Sequence, residues 1–211
     1  DEAKAEIVAL LARKGIPLIE DDVYGDLHFE PQRPRCCKSY DREGLVLHCS
    51  SFSKVLSPGY RVGWLMPGRF MDKALEIKAT TSVASATPTQ MAVAEFLRQG
   101  LLHRHLKRLR PALKSMMDNM LGLIERHFPP GTRATRPEGG YFMWVQLPPH
   151  CDALTLHRAA LARGISVAPG PIFSASQAFG HCLRLNYGHD WSDETAQALA
   201  TLGELACNTP G

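Results

Sequence analysis

The run Ser50-Ser51-Phe52-Ser53-Lys54-Val55-Leu56-Ser57-Pro58-Gly59-Tyr60-Arg61 is where residue types and spacing could do chemistry. An amine follows three serine hydroxyls, a Ser-Pro-Gly turn comes next, and a guanidinium closes the segment. A lysine taken alone is a solvated surface cation. In this company, the hydroxyls and the guanidinium fork can hold phosphate oxygens. An amine desolvated beside a second cation is the form of lysine that attacks an aldehyde to give an imine.

The flanking pattern supplies the elements that must position this segment. Leu45-Val46-Leu47-His48-Cys49 reads as a buried strand that runs into the serines, and 60–66 reads as another strand. Upstream, a helix over 2–14 stops at Gly15, a natural helix terminator, and a short strand over 16–20 enters the acidic turn Glu20-Asp21-Asp22-Val23-Tyr24-Gly25. Alone, those acidic residues would be turn formers. Strands fed by helices and ending in polar turns suggest an open α/β sheet, with functional loops at the strands' C-terminal ends.

Further along, helices are expected over 69–79 and 88–98. A long one follows from Leu101 to about His127, with Leu102, Leu106, Leu109, Leu113, Met117, Met120 and Ile124 at helical spacing. Pro111 lies inside it and predicts a kink or restart. Beyond come a strand over 141–147, a helix over 153–163, strands near 165–168 and 182–187, and a last helix over 192–206, making a small α+β unit. The tail after Cys207 is expected to fray.

With 211 residues the chain can bury a core and hold one or two domains. Its 24 Lys plus Arg against 21 Asp plus Glu leave +3, too slight to imply a polyanion partner. No apolar run approaches the roughly 20 residues that span a bilayer, so a cytoplasmic protein without a membrane partner is expected. The cationic stretch His103 to Arg110 shares its helix with Leu102, Leu106 and Leu109, which makes it the solvated side of an amphipathic helix. Six cysteines show no Cys-x-x-Cys pair and nine histidines show no ligand spacing, so neither a disulfide framework nor a metal site is expected.

The segment around Lys54 resembles the lysine motif of the fold-type-I pyridoxal-phosphate enzymes, in their class I and II aminotransferase branch. Three further elements stand in that family's order. Asp21-Asp22-Val23-Tyr24 is similar to its Asp-x-x-Tyr turn, Val167-Ala168-Pro169-Gly170-Pro171-Ile172-Phe173 to its Pro-Gly-x-x-Phe loop, and Arg184 to its substrate-carboxylate arginine. The resemblance implies an α/β fold. Residues 1–105 would form the C-terminal part of the large cofactor-binding domain, with an open, mostly parallel sheet; 106–211 would form a bridging helix and a small α+β domain. It implies pyridoxal 5'-phosphate as cofactor. Lys54 would hold the aldehyde and later move a proton, Asp21 would pair with the ring nitrogen, and Tyr24 would donate to the phenolate oxygen. Ser51, Ser53 and Arg61 would hold the phosphate, and Arg184 would clamp a carboxylate.

Ser51-Phe52-Ser53-Lys54 with Ser57-Pro58-Gly59, the stretch from Ala84 to Gln90, and Glu95 to Gly100 followed by His105 to Arg110 are similar to the MocR-type bacterial regulators. These join a GntR-family winged helix to an aminotransferase-like domain; free-standing aminotransferases of the aminoadipate type share much of this texture. The regulator reading leads. It implies an amino acid or amine ligand, DNA contact only through an N-terminal winged helix, and a homodimer at full length. The enzyme reading adds a 2-oxo acid acceptor. A purely structural descendant without the lysine chemistry fits the sequence least. The chain opens on Asp1 inside a helical pattern and is expected to be the C-terminal part of such a protein.

Overall fold

The computed structural model describes residues 1–208. The chain divides into two compact units, Asp1–Arg110 and the residues from Pro111 onward.

The first unit begins with α1 (Glu2–Arg13), which buries Val8 and leaves Ile7 and Leu10 exposed. Gly15, at φ +65°, ends it: the Gly15 amide donates to Ala12 and that of Ile16 to Leu11, the paired bonds of a Schellman motif. Strand β1 (Leu18–Asp21) then runs parallel to β2 (Val46–Ser51), and β3 (Gly63–Met66) pairs antiparallel on the far side of β2. The sheet, ordered β1-β2-β3, holds one parallel and one antiparallel pair. The strand expected over 60–66 starts late. Pro58–Tyr60 forms a 3-10 turn and Arg61 is left-handed at φ 54°, so extended pairing begins only at Gly63.

Asp41 fixes the entry to β2. Its carboxylate accepts the amides of Leu45 (3.1 Å) and Val46 (3.0 Å) and the Lys38 ammonium (2.9 Å). Burial alone would raise its pKa, but these donors outweigh it and hold the carboxyl below its ordinary value. Helices α2 (Met71–Thr81) and α3 (Thr87–Arg98) follow, and α4 (Leu101–His127) runs through Pro111 as one helix, so the expected restart does not occur.

The second unit is an antiparallel sheet with helices. Strands β4 (Arg133–Ala134) and β5 (Phe142–Gln146) are followed by α5 (Ala153–Leu161), β6 (Ala168–Pro169), β7 (Cys182–Asn186) and α6 (Asp193–Asn208). The order is β4-β5-β7-β6, four strands where three ranges were expected, because a two-residue pairing such as Arg133-Ala134 leaves no alternation to read. Met143, Val145, Leu183 and Leu185 alternate onto one face and are buried, with Leu156, Leu199 and Leu202 from the helices also in the core. Residues 209–211, the end of the tail expected to fray, lie outside the described residues.

Candidate functional site

Side chains alternate along paired strands, so the register assigns each polar residue of the first sheet to a face. Glu20 lies opposite His48, and Asp21 opposite Cys49. Ser50 lies opposite Trp64, and Ser51 opposite Gly63. Glu20, His48, Ser50 and Trp64 therefore share one face, while Asp21, Cys49 and Ser51 share the other. Asp21 and Ser51 sit at the C-terminal ends of the two parallel strands, where ligands of open α/β sheets bind.

Two hydrogen bonds stitch the turns that leave these strand ends. The Asp22 amide donates to the Cys49 carbonyl (2.9 Å), and the Ser50 hydroxyl donates to the Asp22 carbonyl (3.0 Å). The turn carrying Tyr24 is thereby tied to the one carrying Lys54, whose Nζ stands 6.0 Å from the Tyr24 ring centroid. Lys54 and Asp21 are exposed; Tyr24, Ser51 and Ser53 are half-buried. The Ser51 hydroxyl accepts from the Ser53 amide at 3.4 Å, which orients it over the turn.

The following loop is held by its backbone. Phe52 donates to Val62 (3.0 Å), while Leu56 and Ser57 both donate to Phe52. Ser57 caps the 3-10 turn by accepting from the Gly59 amide (3.3 Å). Arg61 leaves this turn exposed, with one guanidinium nitrogen donating to the Pro58 carbonyl (3.3 Å). A left-handed non-glycine residue costs backbone energy, of order 1–3 kcal/mol, and such positions cluster at ligand clamps.

Sequence reasoning missed the polar network behind Asp21. Buried His48 meets Glu20 Oε2 through Nδ1 (2.8 Å), and its Nε2 lies 3.7 Å from Asp22 Oδ2. Trp64 packs on the imidazole with ring centroids 5.2 Å apart. Glu20 also accepts the amides of Cys37 (2.6 Å) and Lys38 (3.0 Å). Burial would raise the Glu20 pKa; these amides and His48 reverse that and hold it below its ordinary value. Asp22 pairs with Arg33, whose Nε bonds Asp26 (2.8 Å). Gly25 is required here, since a Cβ would overlap the Asp22 carboxylate and the Arg33 guanidinium. The only sequence signal was a polar residue alternating with apolar ones in each strand.

Arg184 belongs to the second unit. Its guanidinium carbon lies 4.3 Å from the Phe142 ring centroid and 4.5 Å from that of Phe173, between two aromatic faces. The buried Nε has no hydrogen-bond partner. Together with Phe142, Asn186 and His189, Arg184 lines a cavity of about 420 Å³. Stacking of this kind leaves the outer edge of the fork to bind a planar anion.

The family model for aminotransferase class I and II matches residues 2–201. A relative, the uncharacterized HTH-type transcriptional regulator YjiR of Escherichia coli, is 41% identical over 97% of this chain and 43% of its own length. Among solved structures, Pyrococcus horikoshii kynurenine aminotransferase, in complex with PMP, superposes with TM-score 0.90 at 29% identity, over 99% of this chain and 52% of that one. The Thermus thermophilus α-aminoadipate aminotransferase LysN, complexed with N-(5'-phosphopyridoxyl)-L-leucine, gives TM-score 0.90 at 31% identity, over 98% of this chain and 54% of that one. The chain thus spans about half the length of the proteins it matches. It has their fold over nearly all its residues, and it belongs to the class I and II aminotransferase family of pyridoxal-phosphate fold type I.

Proposed function

We propose that this chain is the pyridoxal-phosphate-binding, aminotransferase-like effector part of a GntR/MocR-type transcriptional regulator, binding an amino acid or amine through the cofactor. In this reading, residues 1–105 are the C-terminal part of a large cofactor-binding domain, and 106–211 a bridging helix and small domain. A homodimer at full length, with DNA contacted through an N-terminal winged helix, completes the reading. The identity to an HTH-type regulator, 41% against 29–31% to the two solved aminotransferases, supports regulation over free catalysis.

The observation that carries cofactor binding is the convergence of the β1 and β2 turns, with Lys54 Nζ near the Tyr24 ring and Asp21 and Ser51 on the same face. The donor set fits the cofactor's groups: an amine for an aldehyde, a carboxylate for a protonated pyridine, a phenol for a phenolate, hydroxyls and a guanidinium for a phosphate. When bound, pyridoxal phosphate supplies an electron-accepting ring for chemistry at an amino group. Lys54 Nζ would hold the aldehyde carbon and, with its amine free, would serve as the base for the proton at the ligand's α carbon. The Asp21 carboxylate holds the proton at the ring nitrogen. Tyr24 donates its hydroxyl proton to the phenolate oxygen. Ser51, Ser53 and Arg61 bind the phosphate, and Arg184 grips the ligand carboxylate with its guanidinium edge.

Borohydride reduction of the cofactor-loaded protein, followed by peptide mass spectrometry, tests this. The expected result is one pyridoxyl adduct, on Lys54, absent from Lys54→Ala; an adduct on another lysine rejects the site. The second reading, a free-standing aminotransferase of the aminoadipate type, is favoured by the LysN superposition. Sustained conversion of an amino acid and a 2-oxo acid, beyond one equivalent per site, would establish it in place of regulation.

A further inference from the structure

We propose that Glu20, Cys36 and His48 form a binding site for a single divalent transition-metal ion of the zinc type, on the face of the sheet opposite Asp21. One carboxylate oxygen, the Cys36 sulfur and one imidazole nitrogen lie within 4.8 Å of one another, and all three residues are buried or half-buried. The set mixes one soft thiolate, one borderline imidazole and one hard carboxylate, the combination that suits Zn²⁺ over magnesium or calcium. Its charge also balances. A thiolate and a carboxylate cancel a divalent cation, so the loaded, largely shielded site carries no net charge.

The surroundings are arranged as the outer shell of a metal site. Protein histidines that ligate metal donate their second ring N–H to a carboxylate or carbonyl. A carboxylate stands close enough to become that partner: Asp22 Oδ2 lies 3.7 Å from Nε2, while Nδ1 faces Glu20. Glu20 is steadied in turn by the amides of Cys37 and Lys38, each of which leaves carboxylate lone pairs for a metal. Tetrahedral ligands at about 2.0–2.3 Å from zinc stand roughly 3.5 Å apart. Loading would therefore open the 2.8 Å contact between His48 and Glu20 and draw the widest pair together by about an ångström. The His48 ring proton would move from Nδ1 to Nε2, where Asp22 would accept it after closing the present 3.7 Å gap, and the Cys36 thiol proton would leave to solvent. Water takes the fourth position. The ion would pin the segment carrying Cys36 to β1 and β2 directly behind Asp21.

The tag-free chain, stripped with chelator and titrated with Zn²⁺ against a chromophoric competitor, gives the test. One equivalent is expected to bind tightly, and Co²⁺ in its place is expected to show thiolate-to-metal charge-transfer absorption. Cys36→Ser should weaken binding by more than about 100-fold, beyond the roughly 10–100-fold cost of losing an outer partner, and Asp22→Asn by about tenfold. Cys207→Ser, in the second unit, should leave binding unchanged. Equal binding by native chain and Cys36→Ser, or none by the native chain, overturns the assignment. Should Cys36→Ser fail to fold, X-ray absorption of the zinc-loaded native chain decides instead. One sulfur with nitrogen and oxygen neighbours supports the site, while two sulfurs or none reject it.

Discussion

Tyr187 is closed off from water at the end of β7, with its hydroxyl donating to the Gly139 carbonyl at 3.0 Å. Burial pushes its pKa up, because a phenolate there would lose solvation, and the nearby Tyr141 adds to the effect. The sign of the linkage follows. Above the unfolded value of about 10, the unfolded chain loses this proton while the folded one keeps it, so stability falls as pH rises. Each such proton is worth about 1.4 kcal/mol per pH unit. Tyr187→Phe should cost about 1 kcal/mol at neutral pH through the lost hydrogen bond, then decline less steeply above pH 10 than the native chain. Urea unfolding across that range checks it; parallel curves for the two proteins would reject the linkage. Residues of this scale were unevenly legible. Lys54, Asp21, Tyr24 and Arg61 could be named because their types and order along the chain carry the pattern. His48 could not, since its partners Glu20 and Asp22 are neighbours only through the parallel register of β1 and β2.

At the scale of elements, α6 meets the end of α4 at a glycine. A Cβ on Gly203 would come within 2.5 Å of the His127 carbonyl oxygen and 2.7 Å of its carbon, both backbone atoms that cannot swing aside. Gly203→Ala should therefore destabilise the second unit by about 1–3 kcal/mol, although alanine is the better helix former. Thermal unfolding read by near-ultraviolet circular dichroism measures it, and a stabilised variant would show that the helices separate freely. The long helix itself was plain from sequence. Leu106, Leu113, Met117, Met120 and Ile124 recur at helical spacing, and all are buried. Pro111 produces no restart, since it removes one backbone bond and the helix continues through it. The strand's start is misplaced at Tyr60 because Tyr60 and Val62 are strand-like residues; the left-handed Arg61 that breaks the extension has no signature of its own.

Across the whole molecule the two units differ in how much apolar surface they close. From Pro111 onward, the inward faces of β5 and β7 are covered, and Met143, Val145, Leu183 and Leu185 are at most 5% exposed. In the first unit, the face that carries Asp21 and Ser51 also carries Ile19 and Leu65, exposed at 72% and 45%. With Leu47, Phe70 and Ile77 they line an open apolar groove of about 580 Å³. Strands without a covered face open at lower free energy than strands packed on both sides. Hydrogen exchange on the chain by itself should find the slowest amides in β5 and β7 and much faster exchange in β1, β2 and β3. An apolar dye should bind the native chain, and Ile19→Thr with Ile77→Gln should reduce that signal at little cost in stability, within about 0.5 kcal/mol for exposed positions. Uniform protection across both sheets, with no dye bound, would mean that the groove closes on itself in solution. Protection confined to the second sheet would locate the chain's stability away from the residues proposed to hold the cofactor, and would make cofactor binding at Lys54 a source of folding energy for the first unit.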